Sequence, residues 1–500
     1  MERKWWTLLT VCVATFMLLV DVTIVNVALP SIQRDLHAGL TNLQWVVDAY
    51  ALMLSALMLT AGSLADRLGR KRVFQLGIVV FTLASLLCGL ARDATLLDLA
   101  RGLQGIGGAA MFATSLALIA QEFQGREFGT AIAAWGSTVG AAVAVGPLIG
   151  GALTEGFGWE WIFFVNVPVG AVAFALGAMR MREYRNEDSH GIDPGGLVTS
   201  SVASFLLVFG LLRGNAEGWS SAVIVASLAG AALLFAAFAA IELRQRNPML
   251  DLTLFRRPAF VGVSLGTVAI GAGMFAMFFY LSLYLQDILG YSPLQAGLRF
   301  LPLTLLVFAI PAVTHNAAEK APPRVMLGSG LALVAIGLFL MHGIDVGDSW
   351  TTLLPGLIVC GIGIGLSNPA IGSTALGVVE PARSGMASGF SNTCRLGGVA
   401  VGVAGLGAVF QNQIDSKLTE LAPRAPDGLA DAVSSGGARA AAHTPFVHAA
   451  SEAFVSALND ILLVGAVTLL VGAVASFALI RARDFAVARR PAPAPAEAQA

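Results

Sequence analysis

A short basic segment joins two long apolar stretches and reads Gly62-Ser63-Leu64-Ala65-Asp66-Arg67-Leu68-Gly69-Arg70-Lys71-Arg72. Its two glycines permit a tight turn between helices. Asp66 can pair with the nearby arginines or cap the helix that follows. The cations favour a cytoplasmic position for this turn. The segment therefore indicates a turn between two membrane-spanning helices, although a basic loop with no further role is the simpler alternative.

The composition extends this prediction to the whole chain. Of 500 residues, 56% are hydrophobic and only 12% are charged, and the mean hydropathy is +0.76. Soluble proteins have about a quarter of their residues charged. The apolar residues form fourteen stretches that are each long enough to cross a bilayer. The sequence therefore predicts an all-α polytopic membrane protein with fourteen transmembrane helices.

The positions of the basic residues predict the orientation of these helices. Most of the 30 Lys and Arg residues fall in the connections that lie on the same side as the N-terminus. The positive-inside rule places that side in the cytoplasm, together with both termini. This arrangement requires an even number of spans, which fourteen satisfies. Because the cations are spread over many short loops, nothing suggests a nucleic-acid partner.

The residue types that catalytic and metal sites require are not grouped in this sequence. The four cysteines lie in apolar stretches without a CxxC pair, and the six histidines form no HExxH motif. No G-x-S-x-G or G-x-x-x-x-G-K-[ST] segment occurs. We therefore expect no enzyme activity, no metal, no cofactor and no ATP site. A membrane-embedded enzyme and a channel are the remote alternatives.

Spacing along the chain predicts a six, two and six arrangement of spans. The predicted parts are an N-terminal six-helix bundle, two inserted helices with their connections, a C-terminal six-helix bundle with a long, poorly ordered extracellular loop, and a disordered cytoplasmic tail. Their boundaries are 1–180, 181–257, 258–480 with the loop at about 411–455, and 481–500. Two similar bundles of this kind are typical of transporters built from repeats.

A single carboxylate, Asp21, interrupts an apolar stretch near its middle. A charge at that depth costs several kcal/mol unless it is protonated, paired or wetted, so the default prediction is a proton or substrate site. Asp48 and Arg101 lie at similar depths from the outer side, and Gln104 shares the helical face of Arg101. Two acids and one base would leave one carboxylate free to titrate. A purely interfacial role for Asp48 is an equal alternative.

Helical phase adds two expectations about buried faces. Small or flexible residues share the face of Asp21 and could line a cavity; they are Ala14, Met17, Val25 and Ala28. Arg395 is expected near the cytoplasmic end of its span, where its side chain would reach the interface rather than a substrate.

The fifth apolar stretch carries small residues at four-residue spacing together with one proline: Gly136, Gly140, Gly146, Pro147, Gly150 and Gly151. Such spacing lets helices pack closely, and the proline should bend the helix. The stretch is thus predicted to be a packing face that can also hinge or seal a path from the outside.

These segments together resemble motifs of the major facilitator superfamily. The turn segment is similar to the family motif G-x-L-a-D-r-x-G-r-k, and Arg101-Gly102-Leu103-Gln104-Gly105 is similar to R-x-x-q-G. The glycine-rich fifth stretch resembles the antiporter motif of exporters. Asp21 to Pro30 and Trp159 to Gly170 resemble signatures of the fourteen-helix drug:proton antiporters. Glu160 departs from the last pattern, since that family commonly has arginine between the two tryptophans.

The resemblance covers essentially the whole chain and implies a function. It implies proton-coupled export of small amphipathic, drug-like compounds across the bacterial plasma membrane by alternating access. The proton gradient would supply the energy, without ATP or a cofactor, and the partners would be substrate, protons and the lipid bilayer. A dedicated exporter of one endogenous metabolite, such as an antibiotic, an amino acid or a siderophore, is the main alternative.

Overall fold

The structure, a computed structural model, describes residues 2–37, 40–123, 125–185, 193–245, 248–318, 321–380, 383–426, 428–437, 441 and 444–485. Within these ranges every regular element is a helix. Most of the predicted tail, 486–500, lies outside the described residues. Long apolar helices follow from the composition, because a backbone in lipid must satisfy its hydrogen bonds within the segment.

The N-terminal bundle is built from five long helices and two shorter ones. They are α1 (Arg3–Asp35), α2 (Leu40–Leu68), α3 (Arg70–Gly89), α4 (Ala94–Glu122), α5 (Gly125–Phe157), α6 (Trp161–Phe164) and α7 (Asn166–Arg180). Gly69 makes the turn between α2 and α3 with a φ of 115°, a backbone conformation that favours glycine. Asp93 begins α4 by accepting a hydrogen bond from Leu96 N at 2.9 Å.

Two inserted helices follow, α8 (Pro194–Glu217) and α9 (Ala222–Glu242). Asp193 and Ser221 cap their first turns. Helix α8 packs against α2 of the N-terminal bundle and against α16 of the C-terminal bundle. The inserted pair therefore contacts both halves of the protein.

The C-terminal bundle contains α10 (Pro258–Ile270), α11 (Met277–Leu283), α12 (Pro293–Arg299), α13 (Leu301–Ala318), α14 (Pro323–Leu340), α15 (Leu354–Gly377), α16 (Ser384–Leu421), α17 (Leu429–Gly436) and α18 (Val447–Leu479). π-helical turns extend α10 and α11 into one apolar stretch that ends at Ile288. The two bundles meet where α2 packs on α16 and where α5 packs on α13 and α15.

The predicted loop at about 411–455 is largely helical. Helix α16 continues to Leu421, α17 follows, and α18 begins at Val447. The physical reason is a buried face on the extension of α16, where Phe410, Ile414 and Leu418 recur at four-residue intervals. The ring of Phe410 lies 5.0 Å from that of Phe454, so this face packs against α18. The polar and charged residues between these positions, such as Gln411 and Lys417, concealed that periodicity.

Twelve helical stretches in the described part are long and apolar enough to cross a membrane. The predicted class, an all-α polytopic membrane protein, is confirmed at this level. The number is smaller than the predicted fourteen, because α5 is not among the twelve and α13 contributes only the shorter apolar segment Leu301–Pro311.

Candidate transport site

The carboxylate of Asp21 lies at the centre of the N-terminal bundle and is fully buried. Its Oδ2 accepts a hydrogen bond from Arg101 Nη1 at 2.5 Å. Its Oδ1 accepts from Gln104 Nε2 at 2.8 Å and from Asn166 Nδ2 at 3.0 Å. All three neighbours donate, and an ionised carboxylate only accepts. The carboxylate of Asp21 therefore accepts hydrogen bonds from side chains of two other helices, α4 and α7.

Arg101 has partners besides Asp21. Its Nε donates to the carbonyl oxygen of Val46 at 2.9 Å, and its Nη1 also donates to Gln104 Oε1 at 2.6 Å. The guanidinium lies 4.3 Å from the centre of the Tyr50 ring, a distance at which the ring attracts the cation. Arg101 thus remains bound to its surroundings when the charge on Asp21 is lost.

Asn166 and Ser85 complete this cluster and were not assigned to it from the sequence. Gln104 Nε2 and Asn166 Nδ2 both reach Ser85 Oγ, at 2.7 and 3.3 Å. Asn166 was visible as an amide within an apolar stretch, which could have marked it. Ser85 gave no such signal, because a buried serine commonly bonds its own helix. The cluster joins α1, α3, α4 and α7.

The structure brings together Asp21, Arg101 and Gln104 but does not bring Asp48 into their hydrogen-bonded group. Asp48 Oδ2 lies 3.8 Å from Arg213 Nη1 on α8. Arg213 also donates to Gln44 Oε1 and Glu217 Oε1, each at 3.0 Å. The structure therefore does not group Asp48 with Asp21 and Arg101, and an interfacial role for Asp48 stays a prediction. Its position on α2 turns it toward the inserted helix α8.

The helical face that Asp21 shares does not line an open cavity in this conformation. Its four residues, Ala14, Met17, Val25 and Ala28, are at most 3% exposed. The prediction identified the inward face correctly but assigned it to a cavity, whereas neighbouring helices cover it here.

The turn segment forms a second cluster at the C-terminal end of α2. Asp66 Oδ1 accepts from Arg70 Nε at 3.0 Å and Nη2 at 2.9 Å. The same carboxylate accepts from the backbone N–H groups of Gly385 and Met386, at 3.0 and 2.9 Å. These N–H groups belong to the first turn of α16, where the helix dipole favours a negative charge. Asp66 therefore joins the two bundles.

The other residues of the turn segment hold this junction in place. Gly62 lies so close to Gly385 that an added Cβ would clash with the backbone of α16. The Arg70 guanidinium lies 4.4 Å from the centre of the Tyr184 ring, and Glu183 accepts from the backbone of Lys71 at 3.0 Å. Arg67 lies in the last turn of α2 and is partly exposed. The two bundles are thus in close contact at the C-terminal end of α2.

The small residues of α5 face two different neighbours. A Cβ on Gly136 would meet Asn368 at 3.6 Å, and one on Gly140 would meet Val307 at 2.6 Å, so both glycines face the C-terminal bundle. Gly146 and Gly150 instead face α1, where a Cβ on Gly150 would lie 3.1 Å from Ile24 O. A Cβ on Gly151 would meet nothing within 4 Å. The side chain of Pro147 lies outside the described residues.

Arg395 is buried within the protein, whereas the prediction had its side chain reaching the interface. It follows Ser384, the first residue of α16, by eleven positions, which corresponds to roughly 16 Å along the helix. It is only 6% exposed, and its Cζ lies 6.0 Å from the centre of the Trp135 ring on α5. The prediction placed Arg395 near the end of its span, because the apolar stretch begins later than α16 does.

A small cavity lies at the contact between the bundles. It has a volume of about 20 Å³ and lies between α5, α13 and α15, and Val139, Gly140, Val307 and Asn368 are among its lining residues. That volume accommodates about one water molecule.

Comparison with known proteins gives the class. The family model described as Major Facilitator Superfamily matches residues 11–403, and the chain belongs to this family. It is 35% identical over 423 residues to the multidrug resistance protein Stp of Mycobacterium tuberculosis, and the matched region covers 84% of this chain and 79% of Stp. It is 34% identical over 503 residues to the tetracenomycin C resistance and export protein of Streptomyces glaucescens, with 95% and 91% covered.

A solved structure supports the same fold. The human organic anion transporter MFSD10 superposes with a TM-score of 0.63 at 14% identity, covering 94% of this chain and all of that one. The family is one of transporters, so this protein is a transporter and not an enzyme.

Proposed function

We propose that this protein exports small amphipathic organic compounds across the bacterial plasma membrane in exchange for protons. The proposal rests on the buried ion pair of Asp21 and Arg101. Charged side chains inside the membrane are costly and mark functional sites. The names of the relatives, multidrug resistance and tetracenomycin C export, support a drug-like cargo. The proton gradient supplies the energy, and neither ATP nor a cofactor takes part.

Asp21 is the proposed proton carrier. In this conformation its carboxylate accepts hydrogen bonds from three donors. Arg101 retains Val46 O, Gln104 Oε1 and the Tyr50 ring when Asp21 takes up a proton. Neutralising Asp21 therefore does not leave a buried cation without partners. A proton taken up from the outside is released to the cytoplasm as the substrate binds, so proton and substrate alternate on the carrier.

Alternating access requires the cytoplasmic junction to open. The hydrogen bonds from Gly385 and Met386 to Asp66 cross between the bundles, so they break when the bundles separate on that side. The α5 glycines against α13 and α15 offer a close contact along which the bundles can rock. Both features suit a rocking motion about a central site.

We also propose fourteen spans, with both termini in the cytoplasm and membership of the fourteen-helix drug:proton antiporters. Helix α5 has 33 residues and α13 has 18, so their lengths are roughly 50 and 27 Å. Both lengths approach or exceed the hydrocarbon thickness of about 30 Å. Added to the twelve candidate spans, they give an even number, as the distribution of basic residues requires.

Dedicated export of one endogenous metabolite is the second candidate, because one relative is named for a single antibiotic. Expression in an efflux-deficient host separates the two candidates. Protection against many unrelated compounds supports multidrug export, and protection against one compound supports dedicated export.

The coupling is tested with purified protein in proteoliposomes and an imposed pH gradient. Wild type should drive uphill movement of a substrate identified in the resistance panel, and Asp21→Asn should abolish that movement while the protein still inserts. Asp93→Asn, which alters the cap of α4, is the matched control and should retain transport. Wild-type protein that never moves substrate uphill would exclude proton antiport. Normal uphill transport by Asp21→Asn would exclude Asp21 as the carrier.

A further inference from the structure

Arg395 differs from the other buried arginines of the described part. Four arginine side chains are buried there: Arg70, Arg101, Arg213 and Arg395. The first three each have a carboxylate within 4.0 Å, from Asp66, Asp21 and Asp48. Arg395 has no ion pair or hydrogen bond to its guanidinium among the described residues, and its Nε is a buried donor without a partner. A buried charge without a counterion is a costly feature.

The surroundings of Arg395 are aromatic and also contain unused polar atoms. Its Cζ lies 6.0 Å from the Trp135 ring centre, and Trp135 is stacked on Phe112 at 5.8 Å. Asn392, one turn earlier on α16, donates to Phe112 O at 3.2 Å. Trp135 Nε1 and Asn392 Oδ1 are both buried without partners. Unsatisfied polar groups are rare in native interiors, and a group of them calls for an explanation.

This set of residues lies at the contact between the bundles. Trp135 and Phe112 belong to α5 and α4, whereas Asn392 and Arg395 belong to α16. Asn368 of α15, whose Oδ1 is also unpaired, faces Gly136 and lines the small central cavity. Separation of the bundles would expose a guanidinium, two amides and two aromatic rings to the same space.

We propose that Arg395 and Trp135 form the recognition site for aromatic organic anions, that is, planar acids or phenolates. The guanidinium binds the anionic oxygens through parallel N–H donors. The aromatic part of the substrate stacks against Trp135 and Phe112. The charge of Arg395 would repel a lipophilic cation. Such a cation would also lack a counterion at Asp21 or Asp48, because both carboxylates are already paired. This assignment rests on the proposed export function and defines its substrate class.

The test uses two xanthene dyes of opposite charge, fluorescein and rhodamine 6G, and the full-length protein in detergent at pH 7.5. Fluorescence anisotropy gives the Kd of each dye. Wild type should bind fluorescein more tightly than rhodamine 6G. Arg395→Gln should raise the Kd for fluorescein at least tenfold. The same change should leave the Kd for rhodamine 6G unchanged or should lower it. Arg395→Lys should keep the preference for the anion, and Arg92→Gln, an exposed arginine, should behave as wild type.

Stability distinguishes this role from a structural one. Removing an unpaired buried charge should leave the melting temperature of Arg395→Gln equal to or above that of wild type. A large fall in melting temperature would overturn the assignment, as would equal fluorescein Kd values for wild type and Arg395→Gln. Trp135→Ala is the second variant and should weaken binding of both dyes, because stacking does not depend on charge. Failure of wild-type proteoliposomes to couple transport to pH would overturn only the antiport mechanism.

Discussion

Asp66 and Gly385 are 319 residues apart in the sequence and are joined by a 3.0 Å hydrogen bond from the Gly385 backbone N–H to the Asp66 carboxylate. Asp66 lies in the last turn of α2 in the N-terminal bundle, and Gly385 lies in the first turn of α16 in the C-terminal bundle. The bond joins the two bundles, so their separation at this end must break it.

Asp66→Asn should favour opening toward the cytoplasm. The change keeps the shape of the side chain but removes the charge that attracts the start of α16 and Arg70. Hydrogen bonds to charged groups contribute about 1.5–3 kcal/mol, so losing part of this stabilisation raises the open population roughly tenfold. The measurement is the rate at which an impermeant maleimide labels Ser384→Cys in inverted vesicles, with the four native cysteines replaced.

Asp93→Asn in the same background is the control, because Asp93 caps α4 within a single bundle. It should not change the labelling rate. Similar rates for Asp66→Asn and the parent protein would show that the Asp66 charge does not hold the junction closed.

Arg101→Gln and Asp21→Asn should each lower stability, and their effects should not add. Removing one partner of a buried ion pair costs about 3–5 kcal/mol, because the other partner is left without its counterion. The double variant removes both charges of the pair, so its loss of stability should be smaller than the sum of the two single losses. Thermal unfolding of the three variants in detergent measures this difference, and additive losses would contradict it.

Asn166→Ala should lower the melting temperature of the detergent-solubilised protein. Asn166 donates a hydrogen bond to the carboxylate of Asp21 at 3.0 Å, and hydrogen bonds to charged groups contribute about 1.5–3 kcal/mol. Ser85→Ala is the matched variant, because Ser85 binds Asn166 and Gln104 rather than Asp21, and should lower the melting temperature less. Equal melting temperatures for Asn166→Ala and wild type would refute the contribution of Asn166.

Gly150→Ala and Gly151→Ala test the packing of α5 on α1. A methyl group at Gly150 would lie 2.8 Å from the Ile24 side chain and 3.1 Å from its carbonyl oxygen, whereas one at Gly151 meets nothing within 4 Å. Overpacking typically costs about 1–3 kcal/mol. Gly150→Ala should therefore lower the melting temperature, and Gly151→Ala should not. Equal melting temperatures would show that α1 and α5 can separate at no cost.

Asp48 and Arg213 should be energetically coupled. Their charges are 3.8 Å apart, with side chains 17% and 8% exposed. Residues in contact show coupling energies of about 0.5–3 kcal/mol. Because this pair is partly exposed, we expect a coupling energy of about 1 kcal/mol. The measurement is a double-mutant cycle with Asp48→Asn and Arg213→Gln, using unfolding of the detergent-solubilised protein. Additive effects would remove this link between α2 and the inserted helices.

Some features of this protein could be predicted from its sequence, and others could not. The class was readable because apolar length and charge content follow directly from what a bilayer requires, and Asp21 was readable because a charge in such a stretch is rare. The contact of Asp48 with Arg213 could not be predicted, since depth along a helix does not tell which neighbour a side chain faces. The extension of α16 was missed because its buried face consists of widely spaced residues in a polar segment.

The sequence by itself determined that this is a helical membrane protein with a costly acid in its first span and a charged turn after its second. Those features depend on local composition and on the solvent, which are properties of each segment alone. Only the tertiary structure decided that Asn166 and Ser85 complete the Asp21 cluster, that Asp66 holds the start of α16, and that Arg395 lies deep without a counterion. These relationships join residues far apart in the chain, and they depend on how the helices pack.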